Sequence, residues 1–334
     1  MRVETQSVAG VELADPDLAA ATARGLERVE ELLHREVHSE YHFVSETSLH
    51  LIDAGGKRFR PLFTLLSAQI GPSPNGDDVV RAAAVVELVH LATLYHDDVM
   101  DSATMRRGAE SANHRWDNTV AILTGDFLFA HASRLVADLG PNAVRIIAET
   151  FAELVTGQMR ETRGPGPSDD PVQHYLQVIA EKTGSLIATS GRYGGMFSGC
   201  TAEQVESLHR FGATIGTAFQ ISDDIIDIAS PSLDSGKTPG TDLREGVHTL
   251  PMLYALQDPG CPPRLRELLA APIEADAEVE EALELLRSGP GIPRAKDTLA
   301  GYAEEARAEL GKLPACPATE ALGTLTAYTI DRIA

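Results

Sequence analysis

Cysteine and long apolar runs are both scarce in this sequence of 334 residues. The three cysteines, Cys200, Cys261 and Cys316, lie far apart and not in CxxC spacing, which argues against a disulfide scaffold or a cysteine-based metal site. No apolar stretch approaches the roughly 20 residues that span a bilayer, and the N-terminus has acidic residues where a signal peptide would have basic and then apolar ones. We therefore expect a cytoplasmic protein without a transmembrane segment, in at most peripheral contact with a membrane.

Basic residues are also few, because 28 lysines and arginines stand against 49 aspartates and glutamates, a formal net charge of −21. This excess of negative charge argues against nucleic acid as a partner, since phosphate backbones are bound by basic patches. Apolar residues make up 43% of the chain and charged residues 23%, which indicates a folded globular protein rather than a disordered one.

Strand signals are scarce as well, and the apolar residues recur at helical spacing instead. Leu26, Val29, Leu32 and Leu33 fall on one helical face, while alternating apolar segments bounded by turn pairs are rare. Glycine and proline breaks separate the helical segments, and none of them coincides with a long polar linker. The sequence predicts an all-α fold of roughly a dozen helices without a sheet, in a single domain over residues 1–334.

The first chemical signal is an aspartate cluster, HDDVMD at residues 96–101, at the end of an apolar helical run. On a helix Asp97 and Asp101 lie one turn apart on the same face, with Asp98 beside them. Like charges so placed repel each other unless a cation lies between them. Oxygen ligands at this density suit Mg²⁺, which shares its coordination shell with water and substrate phosphates. A helix end that is acidic without function is the alternative, although aspartates are unfavourable near a helix C-terminus.

The second signal repeats the first, because FQISDDIID at residues 219–227 again follows an apolar helical stretch. Its aspartates are Asp223, Asp224 and Asp227. If aspartate makes up roughly 6% of residues, a chain of this length contains one such pattern about 0.07 times by chance. Both copies lie among hydrophobic residues, where unpaired carboxylates are costly. The repetition therefore predicts two functional, magnesium-type clusters.

Lysine is rare, and three of the lysines lie in glycine-containing turns, at Lys57, Lys182 and Lys237. The glycine-containing loop with Lys57 has the sequence GGKRFRP, and its Pro61 suits the first turn of a helix. Lys57, Arg58 and Arg60 would then lie just before a helix N-terminus, which is a natural anion site. Glycine before a basic residue is also common in ordinary turns, so each of these turns is weak evidence alone.

Two further cations, Arg106 and Arg107, follow the first aspartate cluster closely. Two metal-binding clusters that face each other across a helical cavity would clamp one diphosphate through bridging ions. The remaining cations could hold a second diphosphate directly. The pattern therefore indicates a reaction between two lipid-like diphosphates.

These motifs resemble those of the trans-prenyltransferases, or polyprenyl diphosphate synthases, over residues from about Leu51 to Leu250. In family order, the chain contains GGKRFRP, ELVHLATLYHDDVMD, MRRG, GQMRE, EKTGSL, GRYGG, FQISDDIID and GKTPGTD. The C-terminal part, residues 251–334, is less distinctive. The resemblance implies mostly antiparallel helices around a deep central cavity, usually in a homodimer. It also implies head-to-tail condensation of an allylic diphosphate with isopentenyl diphosphate.

The resemblance assigns a role to each motif residue. Roughly two or three Mg²⁺ ions, or Mn²⁺ in their place, would be bound by Asp97, Asp101 and Asp223, with Asp98, Asp224 and Asp227 as further ligands or supports. The allylic diphosphate would be held by Arg106, Lys182, Thr183, Gln220 and Lys237. The isopentenyl diphosphate would be held by Lys57, Arg60, His90 and Arg107. The expected catalytic set is Asp97, Asp98, Asp101, Lys182, Asp223, Asp224 and Lys237.

Product length is expected to depend on the helix that carries the first cluster. From Asp97, one-turn steps lead past Thr93 to Val89, along the line that a growing chain would follow. The family stops growth early with Phe or Tyr four or five residues before the first aspartate, but this chain has Thr93 and Ala92 there. We expect a long product, C30 or longer, with a C20 geranylgeranyl diphosphate synthase as the alternative.

Other classes of protein remain open at this point. A terpene cyclase shares the helical fold, but it would usually carry a different second motif and no GGKRFRP turn. A non-catalytic subunit of a heteromeric synthase tends to have lost one or both aspartate motifs, and both are intact here. A helical di-iron protein would need Glu-x-x-His pairs on two helices, and Glu87 with His90 forms only one convincing pair.

Overall fold

The computed structural model describes residues 6–229 and 239–331, and helices dominate these residues. The prediction of an all-α fold is confirmed. The helices are α1 (Pro16–Glu36), α2 (His42–Asp53), α3 (Phe59–Ala68), α4 (Asp77–Met100), α5 (Ala112–Arg115), α6 (Asn118–Asp138), α7 (Pro141–Arg163), α8 (Pro171–Ile179), a π-helical turn (Ala180–Gly184), α9 (Ser185–Ser198), α10 (Ala202–Ala229), α11 (Thr241–Glu245), α12 (Leu250–Gln257), α13 (Pro263–Leu268), α14 (Asp276–Ser288), α15 (Gly291–Leu310) and α16 (Pro317–Asp331).

The structure has more helices than the sequence predicts, because α5, α11 and α13 are only four to six residues long. Helices so short show no apolar period from which they could be recognised. The prediction that the fold contains no sheet is wrong at two places, where short strands form hairpins. These are β1 (Gln6–Val8) with β2 (Val11–Leu13), and β3 (Met105–Arg106) with β4 (Ala109–Glu110), both antiparallel.

Each hairpin closes through a two-residue turn in which both residues have positive φ. In the second hairpin these are Arg107, with φ of 54°, and Gly108, with φ of 80°. Turns of this kind match the twist of paired strands. Strands of two or three residues are too short for the alternating pattern by which strands are recognised in a sequence.

The chain forms two compact units, each assembled from three segments. The first comprises Met1–Ala152, Leu186–Gly212 and Glu309–Thr324, and the second comprises Glu153–Ser185, Ala213–Ala308 and Leu325–Ala334. The single domain over residues 1–334 therefore stays a prediction.

Helix α4 is the core helix of the first unit. Its residues from Val79 to Val89 are buried except Arg81, because apolar side chains surround the helix rather than form a single stripe. By length and composition alone, α4 and α6 could each cross a membrane, but 78% of the apolar window in α4 and 39% of that in α6 are buried inside the protein. Such burial of α4 is typical of the core helix of a globular protein.

The close packing of α4 on α6 fixes the end of α4, where the first aspartate cluster lies. Gly125 of α6 lies directly beneath His96, and a Cβ at Gly125 would be 2.3 Å from the His96 Nε2 atom. His96 Nε2 also lies 3.3 Å from the backbone oxygen of Ile122. His96 therefore packs in the interface between α4 and α6.

In the second unit the π-helical turn packs against α7. Gly157 of α7 permits this approach, because a Cβ there would lie 2.7 Å from the backbone nitrogen of Lys182. A π turn contains one more residue than an α turn, and such turns are frequent at functional sites. The turn contains the EKTG motif, so the local irregularity coincides with residues that the sequence singles out.

Candidate active site

The first aspartate cluster lies where α4 ends, in the first unit. Asp97 is half-buried, Asp98 is fully buried, and Asp101 is exposed as the residue that caps the helix C-terminus. The backbone nitrogen of Asp101 donates to the oxygen of Asp97 at 2.8 Å. The helix therefore stops with Asp97 and Asp101 close together, as the spacing predicts.

Asp98 is paired with Arg106 rather than turned toward solvent. Arg106 Nε donates to Asp98 Oδ1 at 2.6 Å. Burial raises the pKa of Asp98, and the charge and hydrogen bond of Arg106 oppose that rise. The Asp98 Oδ2 atom is buried without a hydrogen-bond partner among the described residues. Asp98 is thus the member of the cluster that forms an ion pair with Arg106.

The cluster fits a divalent ion that is shared with a substrate. Within residues 6–229 and 239–331, no three His, Cys, Asp or Glu side chains form a preformed cation site. Two carboxylates on one helical turn supply only part of a coordination shell. Mg²⁺ commonly takes one or two carboxylates and completes its shell with water and phosphate oxygens, so this donor set suits it.

A cationic cluster, formed by Arg58, Arg60 and Arg107 around His90, lies where α3 and α4 approach the β3–β4 hairpin. On α4, His90 is about two turns before Asp97. The sequence places Arg60 before a helix N-terminus, but α3 begins at Phe59, so Arg60 lies within its first turn. The Arg60 Nε atom is buried without a hydrogen-bond partner among the described residues. Burial lowers the pKa of Arg60 to about 10, with a further lowering by Arg107 and a compensating effect of Glu87.

His90 on α4 belongs to the same cluster. Burial lowers its pKa well below the usual 6.5, and the nearby charges of Arg60, Arg107, Arg106 and Arg58 lower it further. The imidazole is therefore neutral at physiological pH. The guanidinium groups around His90 make the local field positive, and a positive field favours an anionic ligand.

The remaining predicted cations of the first unit differ in exposure. Lys57 is exposed, whereas Arg107 is half-buried and donates through Nη1 to the backbone oxygen of Leu51 at 2.9 Å. Arg58 is only 9% exposed and donates to the carboxylates of Glu30 and Glu87. Sequence reasoning missed these two glutamates as partners of the cluster. The one signal in the sequence was Glu87, an acidic residue inside an otherwise apolar helical run.

The second aspartate cluster lies near the end of α10, in the second unit. Asp223 is half-buried, and Asp224 is 5% exposed. Asp224 accepts hydrogen bonds from the Tyr175 hydroxyl at 2.5 Å and from Gln220 Nε2 at 2.9 Å. Burial raises the pKa of Asp224 to about 7 despite these two hydrogen bonds. Tyr175, which lies 49 residues away in sequence, was not predicted as part of this cluster.

Asp227 supports the element that comes after the cluster. Its carboxylate accepts from the backbone nitrogens of Thr241 at 3.3 Å and Asp242 at 3.4 Å, at the start of α11. Its backbone oxygen accepts from the nitrogen of Gly240 at 3.1 Å. Lys237, which we expect to hold the allylic diphosphate, lies outside the described residues.

The π-helical turn presents the other predicted residues of the second unit. Lys182 Nζ forms an ion pair with Glu161 Oε2 at 2.5 Å. Thr183 Oγ1 lies 3.4 Å from Gln220 Oε1, so Thr183, Gln220 and Asp224 form one hydrogen-bonded row. Glu161, the last residue of GQMRE, is a partner that sequence reasoning did not identify.

The three positions expected to affect product length are all buried on α4. Val89 and Ala92 are each 1% exposed, and Thr93 is 9% exposed. The Thr93 hydroxyl donates to the backbone oxygen of His90 at 2.8 Å, which hides its polar atom. All three side chains are therefore small and buried, and none of them is aromatic.

This helical fold, with an aspartate cluster in each unit and a separate cationic cluster, has the elements of a diphosphate-using prenyltransferase. The Polyprenyl synthetase family matches residues 42–286, and the chain belongs to that family. Members of this family bind diphosphate with divalent metal ions. The predicted resemblance is thereby confirmed, and the protein is a prenyltransferase.

Individual relatives match almost the whole chain. A nonaprenyl diphosphate synthase of Mycobacterium tuberculosis is 62% identical over 99% of each chain. A dimethylallyltranstransferase of the same organism is 50% identical, over 97% of this chain and 99% of the relative. The crystal structure of a geranylgeranyl pyrophosphate synthase from Corynebacterium glutamicum, complexed with calcium and isoprenyl diphosphate, superimposes with a TM-score of 0.87 at 50% identity, over 97% of this chain and 99% of that chain.

Proposed function

We propose that this protein condenses isopentenyl diphosphate with an allylic diphosphate, head to tail, to give a trans-polyprenyl diphosphate of C30 or longer. The observation that supports this function best is the cationic cluster around Arg60 and His90. It holds a buried guanidinium nitrogen without a partner among the described residues, beside a histidine whose pKa is lowered by burial and by the surrounding positive charges. An anionic group such as a diphosphate would supply both the missing acceptor and the missing negative charge.

The reaction breaks the C–O bond of the allylic diphosphate and joins its C1 to C4 of isopentenyl diphosphate. Pyrophosphate leaves with the bonding electron pair, and the double bond of isopentenyl diphosphate attacks the resulting allylic cation. Loss of one proton from C2 of the isopentenyl unit restores a double bond. We assign that proton to the released pyrophosphate and propose no side-chain base.

In this scheme Asp97, Asp101 and Asp223 would hold roughly two or three Mg²⁺ ions, or Mn²⁺ in their place. When bound, such ions would offset the negative charge that develops on the leaving pyrophosphate. Asp98, Asp224 and Asp227 act as supports, each through the partner described above. The allylic diphosphate is held by Arg106, Lys182, Thr183, Gln220 and Lys237, and the isopentenyl diphosphate by Lys57, Arg60, His90 and Arg107.

Two observations support the proposal of a long product, namely the small residues on α4 and the product named for a relative. Ala92 and Thr93 present no aromatic ring below Asp97, and the relative with 62% identity is named for a nonaprenyl product. A C20 product is the second candidate, because a geranylgeranyl pyrophosphate synthase is 50% identical.

A product assay tests both the reaction and its length. Purified protein, Mg²⁺ and labelled isopentenyl diphosphate are combined with dimethylallyl, geranyl, farnesyl or geranylgeranyl diphosphate in turn. We expect products of C30 or longer, and we expect Ala92→Phe to shorten them, with Ala92→Val as the matched small variant. Products that stop at C20 in the unmodified protein would overturn the long-chain assignment, and no elongation with any primer would overturn the reaction.

We also propose a cytoplasmic homodimer built from single-domain protomers. Helix α6 supports the dimer, because Leu123 is 61% exposed and Ile122 is 43% exposed on a helix of apolar composition. Light scattering should give twice the mass of one chain, and Leu123→Glu should shift it toward one, with Ala300→Glu, at an exposed position of α15, as the control. A wild-type mass of one chain at micromolar concentration would contradict the dimer.

A further inference from the structure

Glu87 is a buried carboxylate in the middle of the apolar helix α4. Its side chain is 1% exposed, so it needs compensating partners. Arg58 Nη1 donates to Glu87 Oε1 at 3.2 Å, and Arg107 Nη2 lies 3.6 Å from the same oxygen. Glu87 lies three residues before His90, almost one helical turn away on a neighbouring face. One carboxylate thus joins two cations that come from different loops.

Both arginines have a backbone conformation that non-glycine residues rarely adopt. Arg58 has φ of 46° and Arg107 has φ of 54°, both in the left-handed region. Such conformations persist only where the surrounding contacts hold them. Here each of these residues directs its guanidinium group toward Glu87. The carboxylate is therefore a shared anchor for two strained positions.

The same guanidinium groups bind the backbone around the cationic cluster. Arg107 Nη1 donates to the oxygens of Leu51 and Gly55, at 2.9 and 2.5 Å. Arg58 Nη2 donates to the oxygen of Ile52 at 2.9 Å. The end of α2, the turn before α3 and the β3–β4 hairpin are thereby tied to α4 at Glu87. Arg60 and His90 lie within this frame, and Arg60 interacts electrostatically with Glu87 and Arg107.

We infer that Glu87 is a positioning residue for the isopentenyl diphosphate site. It holds Arg58 and Arg107 so that the two loops that carry Lys57 and Arg107 stay in place around Arg60 and His90. Its negative charge also offsets the repulsion among the clustered cations before substrate binds. This inference rests on the proposed function, and it concerns only the site for isopentenyl diphosphate.

The substitution Glu87→Gln tests it, because glutamine keeps the shape of glutamate and removes the charge. We expect the KM for isopentenyl diphosphate to rise about tenfold or more, since hydrogen bonds to charged groups are lost. The KM for the allylic diphosphate should stay within about twofold of the unmodified value. Calorimetric titration with isopentenyl diphosphate alone should show the same loss of affinity, independently of turnover.

Two further variants separate positioning from a general loss of structure. Glu30→Gln is the matched control, because Glu30 pairs with Arg58 but not with Arg107; its effect on the KM for isopentenyl diphosphate should be clearly smaller. Glu87→Asp keeps the charge and should recover part of the affinity. If Glu87→Gln does not fold, Glu87→Asp should still weaken isopentenyl diphosphate binding selectively, because its shorter side chain lengthens both ion pairs.

An unchanged KM for isopentenyl diphosphate in Glu87→Gln would overturn the inference, as would an equal rise in both KM values. Failure of the proposed function looks different. In that case the unmodified protein would neither bind isopentenyl diphosphate nor elongate any primer.

Discussion

The two aspartate clusters have the same sequence pattern, but the protein compensates their buried carboxylates in different ways. In the first cluster Asp98 is paired with a cation, Arg106. In the second, Asp224 is held by the neutral groups of Tyr175 and Gln220. Burial raises the pKa of both carboxyl groups, but within residues 6–229 and 239–331 only Asp98 has a cation as its partner. The same motif can therefore rest on an ion pair in one place and on uncharged hydrogen bonds in another.

The two clusters also differ in how the chain continues beyond them. Helix α4 stops at the first cluster, and Asp101 caps its C-terminus. Helix α10 continues to Ala229, and the last aspartate of its cluster binds the start of α11 instead. Asp101 is therefore exposed and accessible to a ligand, whereas Asp227 already has structural partners. Equivalent positions in the two motifs are thus not equivalent in their surroundings.

The largest effect should come from the first aspartate of each cluster, where we expect the two clusters to behave alike. Asp97→Asn or Asp223→Asn should lower kcat at least about a hundredfold, because each removes a carboxylate from a site that stabilises developing charge. Steady-state rates over a range of Mg²⁺ concentrations check this, with Glu284→Gln, an exposed carboxylate on α14, as the control. If a variant kept full activity at the Mg²⁺ concentration that suffices for the unmodified protein, the replaced aspartate would not be a metal ligand.

The second aspartates should separate the clusters. Asp98→Asn leaves Arg106 without its counter-charge and should lower the free energy of unfolding by about 2 kcal/mol, a buried-pair value reduced because Arg106 is 30% exposed. Asp224→Asn replaces a carboxyl group whose partners are neutral, and it should cost less than about 1 kcal/mol. Urea unfolding of both variants measures the difference. Equal losses would show that the two kinds of compensation have the same energetic weight.

A smaller effect, dependent on pH, should mark the cationic cluster. The folded pKa of His90 is far below its unfolded value of 6.5, because of burial and the charges of Arg60, Arg107, Arg106 and Arg58. As pH falls below about 6.5, the unfolded chain takes up a proton at this position and the folded chain does not, so stability falls by up to about 1.4 kcal/mol per pH unit.

Urea unfolding between about pH 5 and pH 8 checks this expectation, since that range spans the unfolded pKa. The His90→Gln variant should lack this part of the decline, and the difference between the two proteins isolates His90 from the other histidines. Parallel pH profiles would mean that His90 has the same pKa in the folded and the unfolded protein.

Much of the fold and of the site could be predicted from the sequence, because the relevant signals are local. Apolar periodicity gives helices, and DDxxD spacing places the first and last aspartates of each cluster one turn apart. The partners of the middle aspartates could not be predicted in this way, because Tyr175 and Asp224 meet only through tertiary packing across 49 residues. Likewise, the role of Glu87 could not be predicted, because its partners Arg58 and Arg107 come from two loops that are distant in sequence.

The small hairpin β3–β4 escaped prediction for a related reason. Its turn places Arg107 in the left-handed region, which is sterically unfavourable for arginine. The conformation is set by the carbonyl oxygens and the carboxylate that the guanidinium group binds. Local propensity therefore pointed away from the observed structure at a position that we place in the isopentenyl diphosphate site.

The cationic cluster lies in a chain whose formal net charge is −21. At low ionic strength the field of the whole molecule repels an approaching diphosphate, while the cluster attracts it only at close range. At physiological ionic strength the screening length is about 8 Å, so the distant acidic groups are largely hidden and the cluster is not. Moderate salt should therefore speed the capture of the substrate, which is the reverse of what an enzyme with a basic surface would do with the same anion.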